Sequence, residues 1–374
     1  MKAYLYLSDG RVFSGESIGV VDETIGEVVF NTSMTGYQEI LTDPSYAGQI
    51  IALTYPLIGN YGVNSRDEES CSIAAKGLIV KELCSQPSNY RTEQNLHSYL
   101  VKHGITGIKH LDTRALTKHL RKSGTMMGII TTDPNIGELT ARAGELKFPS
   151  GPELVQSVTC KQIHIVSGGE YPIVVIDYGA KDNIVRSLKA LDCAVTVVPA
   201  GTTVEDILAQ NPSGVVLSNG PGDPKDVEHT IPAIRALLNK NLPIMGICLG
   251  HQLLGIALGG RTYKLKFGHR GGNHPVKDLR SNRSYITSQN HGYAVEKESL
   301  DAQFIEVTHI NLHDNTVEGF RHRNKPVFSV QFHPEACPGP QDTEQLFLEF
   351  LDMVKEYRKQ LPLQNEGGKP NASE

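Results

Sequence analysis

The sequence predicts an α/β protein whose C-terminal part is a doubly wound, mainly parallel sheet with flanking helices, preceded by an α+β, strand-rich domain. From residue 171 onward, short apolar runs alternate with amphipathic helical segments, as in a parallel sheet. Residues 1–132 instead contain short strand patterns separated by turn residues. Residues 133–170 have several prolines and little sustained periodicity, which predicts a linker region.

In the N-terminal segment, turn and capping residues define the element ends. Asp9-Gly10 joins two short alternating runs, which indicates a hairpin, and Pro56 ends a strand pattern. Asp112 is a helix N-cap candidate, and Gly124 follows the end of the same helix. The predicted elements are strands at 3–7, 12–13, 27–31 and 50–55 and helices at 92–103 and 112–122.

In residues 171–360, strands and helices alternate as far as residue 260. Right-handed crossovers should therefore place helices on both faces of the sheet. Predicted strands are 173–177, 195–198, 214–218, 243–247 and 327–331, and predicted helices are 181–191, 203–210, 231–239, 249–258 and one starting near 342. Residues 361–374 are polar and rich in Gly and Pro, so a disordered tail is expected.

Composition narrows the function classes for this chain of 374 residues. A net charge of −5 gives no basic footprint for nucleic acid, and no apolar run is long enough for a membrane span. The acidic Asp9 precedes any apolar leader core, so no signal peptide is expected. The six cysteines form no Cys-x-x-Cys pair, which favours a reducing, cytoplasmic setting and argues against a cysteine zinc site.

The most informative motif is Gly246-Ile247-Cys248-Leu249-Gly250, between a predicted strand and a predicted helix. It matches the nucleophile elbow Gly-x-nucleophile-x-Gly, with cysteine as the nucleophile. Small residues are needed on both sides because the turn is tight, and the helix N-terminus favours the thiolate. Taken alone, the motif is equally compatible with a buried structural cysteine between two packing glycines.

Two further motifs also end predicted strands. His333 and Glu335 lie two residues apart on an extended segment, so they point the same way and could form a base oriented by a carboxylate. A surface His and Glu is the alternative. The segment Asn219-Gly220-Pro221-Gly222-Asp223-Pro224 could cradle a substrate with its backbone N–H groups, or could be only a turn.

Together these motifs, in this order, resemble the class I (triad) glutamine amidotransferases over about residues 171–358. Three N-terminal and central segments narrow the resemblance to the small, glutamine-hydrolysing subunits of carbamoyl phosphate synthetase. They are Phe30-Asn-Thr-Ser-Met-Thr-Gly-Tyr-Gln-Glu39, Thr42-Asp-Pro-Ser-Tyr46 and Gly268-His-Arg-Gly-Gly-Asn-His-Pro275. Two residues depart from the common pattern of that family: Tyr293 replaces Phe, and Cys337 replaces Ser.

The resemblance implies a Cys248–His333–Glu335 triad that hydrolyses glutamine to glutamate and ammonia through a cysteine thioester. The N–H groups of Leu249 and Gly220 would form the oxyanion hole. The glutamine-binding residues would be Ser45, Gly220, Gly222, Leu249, Gln252, Asn290, Gly292 and Tyr293.

The resemblance also implies a heterodimer with a large synthetase subunit, which makes carbamoyl phosphate from bicarbonate and ATP for arginine and pyrimidine biosynthesis. No cofactor is expected on this chain, because ATP, Mg and bicarbonate belong to the large subunit. No metal is expected either, although His269 and His274 flank two glycines. His251 should point away from the thiol because the helix turns it aside.

Two other functions stay open on the motifs alone. A different amidotransferase or a stand-alone hydrolase of glutamyl substrates would use the same elbow and His-x-Glu pair, but it would give residues 1–130 no role. A catalytically silent scaffold that only binds the synthetase would not need an intact triad.

Overall fold

The computed structural model describes residues 1–149, 151–166 and 168–360. The expected disordered tail at 361–374 lies outside the described residues. The structure contains a closed barrel in its first third and a ten-stranded sheet in the rest.

The barrel has seven strands in the order β1-β2-β8-β6-β4-β3-β9. The strands of the N-terminal part are β1 Lys2–Leu7, β2 Val12–Gly19, β3 Thr24–Asn31, β4 Gln49–Leu53, β5 Leu57–Ile58, β6 Gly77–Ile79, β7 Glu82–Leu83, β8 Thr106–Lys109 and β9 Met126–Thr131. The helices are α1 Tyr37–Thr42, α2 Leu96–Lys102 and α3 Thr113–Ser123. The short strands β5 and β7 pair with each other outside the barrel.

Local signals placed several of these elements correctly. The hairpin of β1 and β2 is confirmed. Asp112 caps α3 by accepting a hydrogen bond from the Ala115 N–H at 2.9 Å, as predicted. The helix predicted at 92–103 begins only at Leu96, because Asn95 is its N-cap and accepts from the Ser98 N–H.

The C-terminal part is a mixed sheet with the order β10-β12-β11-β13-β14-β19-β18-β17-β15-β16. Its strands are β10 His164–Ile165, β11 Tyr171–Asp177, β12 Cys193–Pro199, β13 Gly214–Leu217, β14 Ile244–Ile247, β15 Thr262–Asp278, β16 Ser284–Val295, β17 Ile305–Asn311, β18 Val317–His322 and β19 Val327–Val330. The five central strands, from β12 to β19, pair in parallel, and the flanking strands pair antiparallel.

Helices cover both faces of the parallel strands, as predicted. The helices of this part are α5 Glu153–Val158, α6 Asp182–Ala190, α7 Val204–Ala209, α8 Ile231–Leu238, α9 Leu249–Ala257 and α10 Gln345–Gln360. One further helix, α4 Ile136–Gly144, packs instead on strands β1 and β9 of the barrel. The helices α6 and α10 pack on one face, and α7, α8 and α9 pack on the other. The region predicted as a linker, 133–170, contains α4, α5 and β10, which the sequence patterns did not indicate.

Candidate active site

The turn between β14 and α9 places Cys248 in a strained backbone conformation. Its φ and ψ are 52° and −101°, outside the regions that L-residues favour. Neighbouring backbone approaches so closely that larger residues would clash: a Cβ on Gly246 would lie 2.7 Å from the Gly250 carbonyl oxygen, and one on Gly250 would lie 2.2 Å from that of Leu217. The tight elbow predicted from the Gly-x-Cys-x-Gly spacing is therefore present.

His333 follows β19 and meets Cys248 from the neighbouring strand. His333 Nδ1 lies 2.6 Å from Glu335 Oε1. The Cys248 thiol is close enough to interact with the imidazole, and its hydrogen bond runs to the Asn290 carbonyl oxygen, 3.6 Å from Sγ. All three side chains are almost completely buried. Burial disfavours the imidazolium, but the charge of Glu335 and the contact with Cys248 outweigh it and raise the pKa of His333. A buried imidazole oriented by a carboxylate is the acid–base partner that a cysteine nucleophile requires.

A buried lysine, which the sequence did not reveal, supports Glu335 from behind. Lys181 is 2% exposed, and its Nζ lies 3.1 Å from Glu335 Oε1. Lys181 also donates to the Ala336 carbonyl, while the Asn183 amide donates to the Glu335 carbonyl. Burial alone would raise the pKa of Glu335, but the charges of Lys181 and His333 lower it to about 2. Glu335 is therefore ionised at neutral pH.

The barrel contributes Asp43 and Ser45 to the same site. Asp43 Oδ1 accepts from the Ser45 N–H at 2.9 Å. Asn219 donates to Ser45 Oγ at 2.8 Å, and Asn290 donates to Asp43 Oδ2 at 3.1 Å. The last two bonds join the barrel part to the loop after β13 and to strand β16, so both parts of the chain shape one site. Ser45 was expected there, whereas Asp43 was not.

A cavity opens in front of Cys248. It is lined by seven of the eight residues expected to bind glutamine: Ser45, Gly220, Gly222, Gln252, Asn290, Gly292 and Tyr293. The side chain of the eighth, Leu249, is buried in the core beside Gly220. Arg270 and Lys264 also line the cavity and bring positive charge, which the sequence analysis did not assign to it.

A second, much smaller cavity is lined by His333. Asn290 lines both cavities. The other lining residues come from both halves of the chain: Asn31, Ser33, Ile40, Asp43, Tyr46, Lys181, Ser288, Gln289, His333 and Pro338.

Comparison with known proteins agrees with this two-part architecture. Residues 174–353 match the family model Glutamine amidotransferase class-I, and residues 5–130 match the model Carbamoyl-phosphate synthase small chain, CPSase domain. A carbamoyl phosphate synthase small chain from Syntrophotalea carbinolica is 52% identical over 96% of this chain and 99% of its own length. The chain belongs to the carbamoyl phosphate synthase small chain family.

One further relative and one solved structure are also similar to this chain. A small chain from Bacillus caldolyticus is 52% identical and covers 96% of this chain and 98% of its own length. Among solved structures, a glutamine amidotransferase from Thermotoga maritima has 19% identity and a TM-score of 0.38, covering 50% of this chain and 85% of its own.

Two predictions from the sequence concern a membrane span and His251. In the part of the chain that the structure describes, no helix has the length and apolar character needed to cross a bilayer. His251 Nδ1 lies 2.8 Å from Ser329 Oγ, so this histidine is engaged away from the triad.

A buried histidine cluster lies beside the β15–β16 wall of the cavity. Ligand atoms of His269, His291 and Glu318 lie within 4.8 Å of one another. Each of the three residues has protein partners: His269 Nε2 lies 2.9 Å from Asp314 Oδ2, and His291 Nδ1 lies 2.8 Å from the Tyr293 carbonyl oxygen. Glu318 Oε1 accepts from the Asn311 amide at 2.8 Å. The contacts fit an ion-pair and hydrogen-bond network that braces the wall of the cavity.

The His269 network should make stability depend on pH in the alkaline direction. Burial disfavours the charged ring, but hydrogen bonds with Asp314 and Glu318 outweigh it and raise the pKa of His269 to about 9 from 6.5. The stabilisation is then complete below pH 6.5 and is lost as pH rises through 9. We expect the unfolding free energies of wild type and His269→Gln to converge over that range in urea titrations.

The exposed His164 provides the control for this prediction. A His164→Gln variant should follow the wild-type pH dependence throughout. If the difference in unfolding free energy between wild type and His269→Gln stays constant from pH 6.5 to pH 9, the assignment of charge to His269 is contradicted.

Proposed function

We propose that this chain hydrolyses glutamine to glutamate and ammonia, and that it delivers the ammonia to a large synthetase subunit that makes carbamoyl phosphate from bicarbonate and ATP. The observation that carries the proposal is the buried Cys248–His333–Glu335 relay at the wall of a polar cavity. ATP, Mg and bicarbonate would be used on the large subunit, and this chain would carry no cofactor of its own.

The relay accounts for each proton in the reaction. The Cys248 sulfur attacks the side-chain amide carbon of glutamine, and His333 holds the thiol proton. His333 gives that proton to the departing nitrogen, which leaves as ammonia, and Cys248 is left as a γ-glutamyl thioester. A water molecule activated by His333 then attacks the thioester and releases glutamate, which restores the thiol.

Backbone N–H groups would stabilise the negative charge on the carbonyl oxygen. The Leu249 N–H is the first of helix α9 and follows the nucleophile directly. Gly220 lines the cavity from the loop after β13. Two such donors placed at the developing oxyanion typically supply several kcal/mol of transition-state stabilisation.

The charges of the cavity suit a zwitterionic amino acid. Arg270 and Lys264 offer partners for a carboxylate, and Glu27 and Asp223 offer partners for an ammonium group. Ser45, Gly222, Gln252, Asn290, Gly292 and Tyr293 would complete the contacts with glutamine. Tyr293 would serve through its backbone, so the replacement of phenylalanine at this position should change little.

Delivery of ammonia is supported by the second cavity. His333, which would release the nitrogen, lines this cavity, and Asn290 lines both it and the glutamine cavity. Ammonia in bulk water at neutral pH is mostly ammonium, which has no lone pair. An enclosed exit would therefore keep the nitrogen nucleophilic until it reaches the synthetase.

An isotope experiment with the assembled complex tests the proposed function. The purified chain is combined with the large subunit, glutamine labelled at its amide nitrogen, bicarbonate, ATP and excess unlabelled ammonium. We expect carbamoyl phosphate to carry mainly the amide label, because ammonia passes internally. Carbamoyl phosphate whose nitrogen comes mainly from the unlabelled ammonium would contradict internal delivery of ammonia. Absence of glutamate would contradict the glutaminase reaction.

Narrowing the second cavity should uncouple the two reactions. Ser33 is 7% exposed and lines this cavity. In a Ser33→Leu complex, glutamine hydrolysis should continue while carbamoyl phosphate formed per glutamine falls about tenfold, equivalent to ~1.4 kcal/mol. Both products are measured in one assay.

The smaller Ser33→Ala variant is the matched control, since it removes the hydroxyl but leaves the space open. It should keep the ratio of the two products near that of the wild type. Equal coupling in the leucine and alanine variants would show that ammonia does not use this cavity.

A further inference from the structure

Helix α6 begins beside the triad but receives no cap from its own N-cap side chain. The N-cap residue is Lys181, whose side chain makes no capping hydrogen bond and instead reaches Glu335. The first N–H groups of a helix have no partner inside the helix and must find acceptors elsewhere.

Glu69, from the N-terminal part of the chain, supplies these acceptors. Its carbonyl oxygen accepts from the Asp182 N–H at 2.9 Å, and its Oε2 accepts from the Asn183 N–H at 3.0 Å. The other carboxylate oxygen pairs with Arg186, one turn further along the helix. One residue thus satisfies two successive N–H groups of a helix that belongs to the other part of the fold.

Glu69 is itself held rigidly. It is 1% exposed, and its own N–H donates to Thr42 Oγ1 at 2.9 Å. Thr42 is the last residue of α1 and lies next to Asp43, which accepts a hydrogen bond from Asn290 of the glutamine cavity. The start of α6 is therefore fixed relative to the same barrel segment that supplies Asp43 and Ser45.

The two residues at the start of α6 are those that hold Glu335. Lys181 contacts the Glu335 carboxylate, and Asn183 donates to the Glu335 carbonyl. A shift of this helix end would move both contacts together. It would also move the carboxylate that orients His333, and a displacement of about 1 Å in a reacting group can cost ~100-fold in rate.

We propose that Glu69 is a positioning residue for the reaction, acting as a helix cap supplied across the two parts of the fold. By fixing the first turn of α6, it holds Lys181 and Asn183 in place. Through them it aligns Glu335 and His333 with the nucleophile. The inference rests on the proposed glutaminase function and adds to it a role for the N-terminal part of the chain.

The test uses the complex with the large subunit and compares Glu69→Ala, Glu69→Gln and Glu68→Gln. We expect Glu69→Ala to lower the glutamine-dependent kcat about tenfold, with KM for glutamine within about twofold of wild type. Ammonia-dependent synthesis should not change. Glu69→Gln should recover most of kcat, because its amide oxygen can still accept from the Asn183 N–H.

Glu68→Gln is the matched neighbour, because the Glu68 carboxylate accepts from Tyr99 at 3.0 Å. Glu68 contacts α6 through its backbone carbonyl, which accepts from Arg186 and which the substitution keeps, so kcat should not change. If Glu69→Ala fails to fold, Glu69→Asp decides, since its carboxylate is one methylene too short to reach Asn183. A loss of kcat in the Asp variant supports the proposal, and wild-type kcat overturns it.

Other outcomes also overturn the positioning role. These are an unchanged kcat in Glu69→Ala, a rise in KM alone, or an equal loss of ammonia-dependent synthesis. Failure of the proposed function itself is recognised separately. If the proposed function fails, Cys248→Ala retains glutamine-dependent synthesis. If only the positioning role of Glu69 fails, Cys248→Ala is inactive and Glu69→Ala matches the wild type.

Discussion

Replacing Cys248 with alanine is expected to lower glutamine-dependent carbamoyl phosphate synthesis by roughly four orders of magnitude or more, since removing the nucleophile of a triad has effects of that size. Synthesis from added ammonia should persist, because the large subunit would still receive its nitrogen substrate. Both rates are measured on the same complex, so loss of assembly would be visible as loss of the ammonia-dependent rate.

Cys337 offers a matched control for this prediction. It lies two residues beyond Glu335, and burial raises the pKa of its thiol to about 11, so it remains a neutral thiol at physiological pH. Cys337→Ala should retain glutamine-dependent synthesis within about twofold, as expected of a residue outside the relay. Full activity in Cys248→Ala, or loss only in Cys337→Ala, would contradict the assignment of the nucleophile.

Sequence patterns were sufficient where the physical signal is local. The parallel strands and their helices alternate along the chain, so each hydrophobic period predicts one element. Cys248 could be recognised because a tight elbow requires glycines at fixed offsets, and the structure shows the close approaches that require them. His333 and Glu335 stand out because they end a strand of the same sheet.

The barrel could not be predicted, because its closure depends on pairings between distant segments. Strand β6 has only three residues and pairs with β4 and β8 in parallel, and no turn signal connects such strands. The hairpin and the single strands were therefore predicted correctly, but the order in which the strands pair in the barrel could not be predicted from the sequence.

Lys181, Asp43 and Glu69 were missed for a different reason. Lysine and acidic residues usually lie at the surface, so a single one after a strand or in a loop gives no signal of burial. Their roles arise from opposite charges brought together in the interior by the packing of the barrel on the sheet. Lys181 does follow β11 at the carboxyl edge of the parallel sheet, where ligands commonly bind, and that position is the one available clue.

The second large effect is expected for Lys181→Met, which removes the positive charge behind Glu335. Breaking a buried ion pair by deleting one partner leaves the other charge uncompensated and typically costs ~3–5 kcal/mol of stability. We expect a loss of this size in urea unfolding and a fall of at least about a hundredfold in glutamine-dependent kcat, because His333 loses a fully ionised partner. Lys189→Met, an exposed lysine on the same helix, is the control and should change neither quantity.

The pH dependence distinguishes loss of charge from loss of packing in Lys181→Met. In the native chain the pKa of Glu335 is lowered from 4.5 to about 2, so its contribution to stability is complete above pH 4.5 and is lost as pH falls toward 2. Without Lys181 the pKa of Glu335 should rise, so the unfolding free energies of variant and wild type should converge as the pH falls through this range. If the difference in unfolding free energy between variant and wild type stays constant with pH, Lys181 acts only by filling space. In that case the ionisation of Glu335 would depend on His333 alone, and the four-residue relay from Lys181 to Cys248 would reduce to the triad.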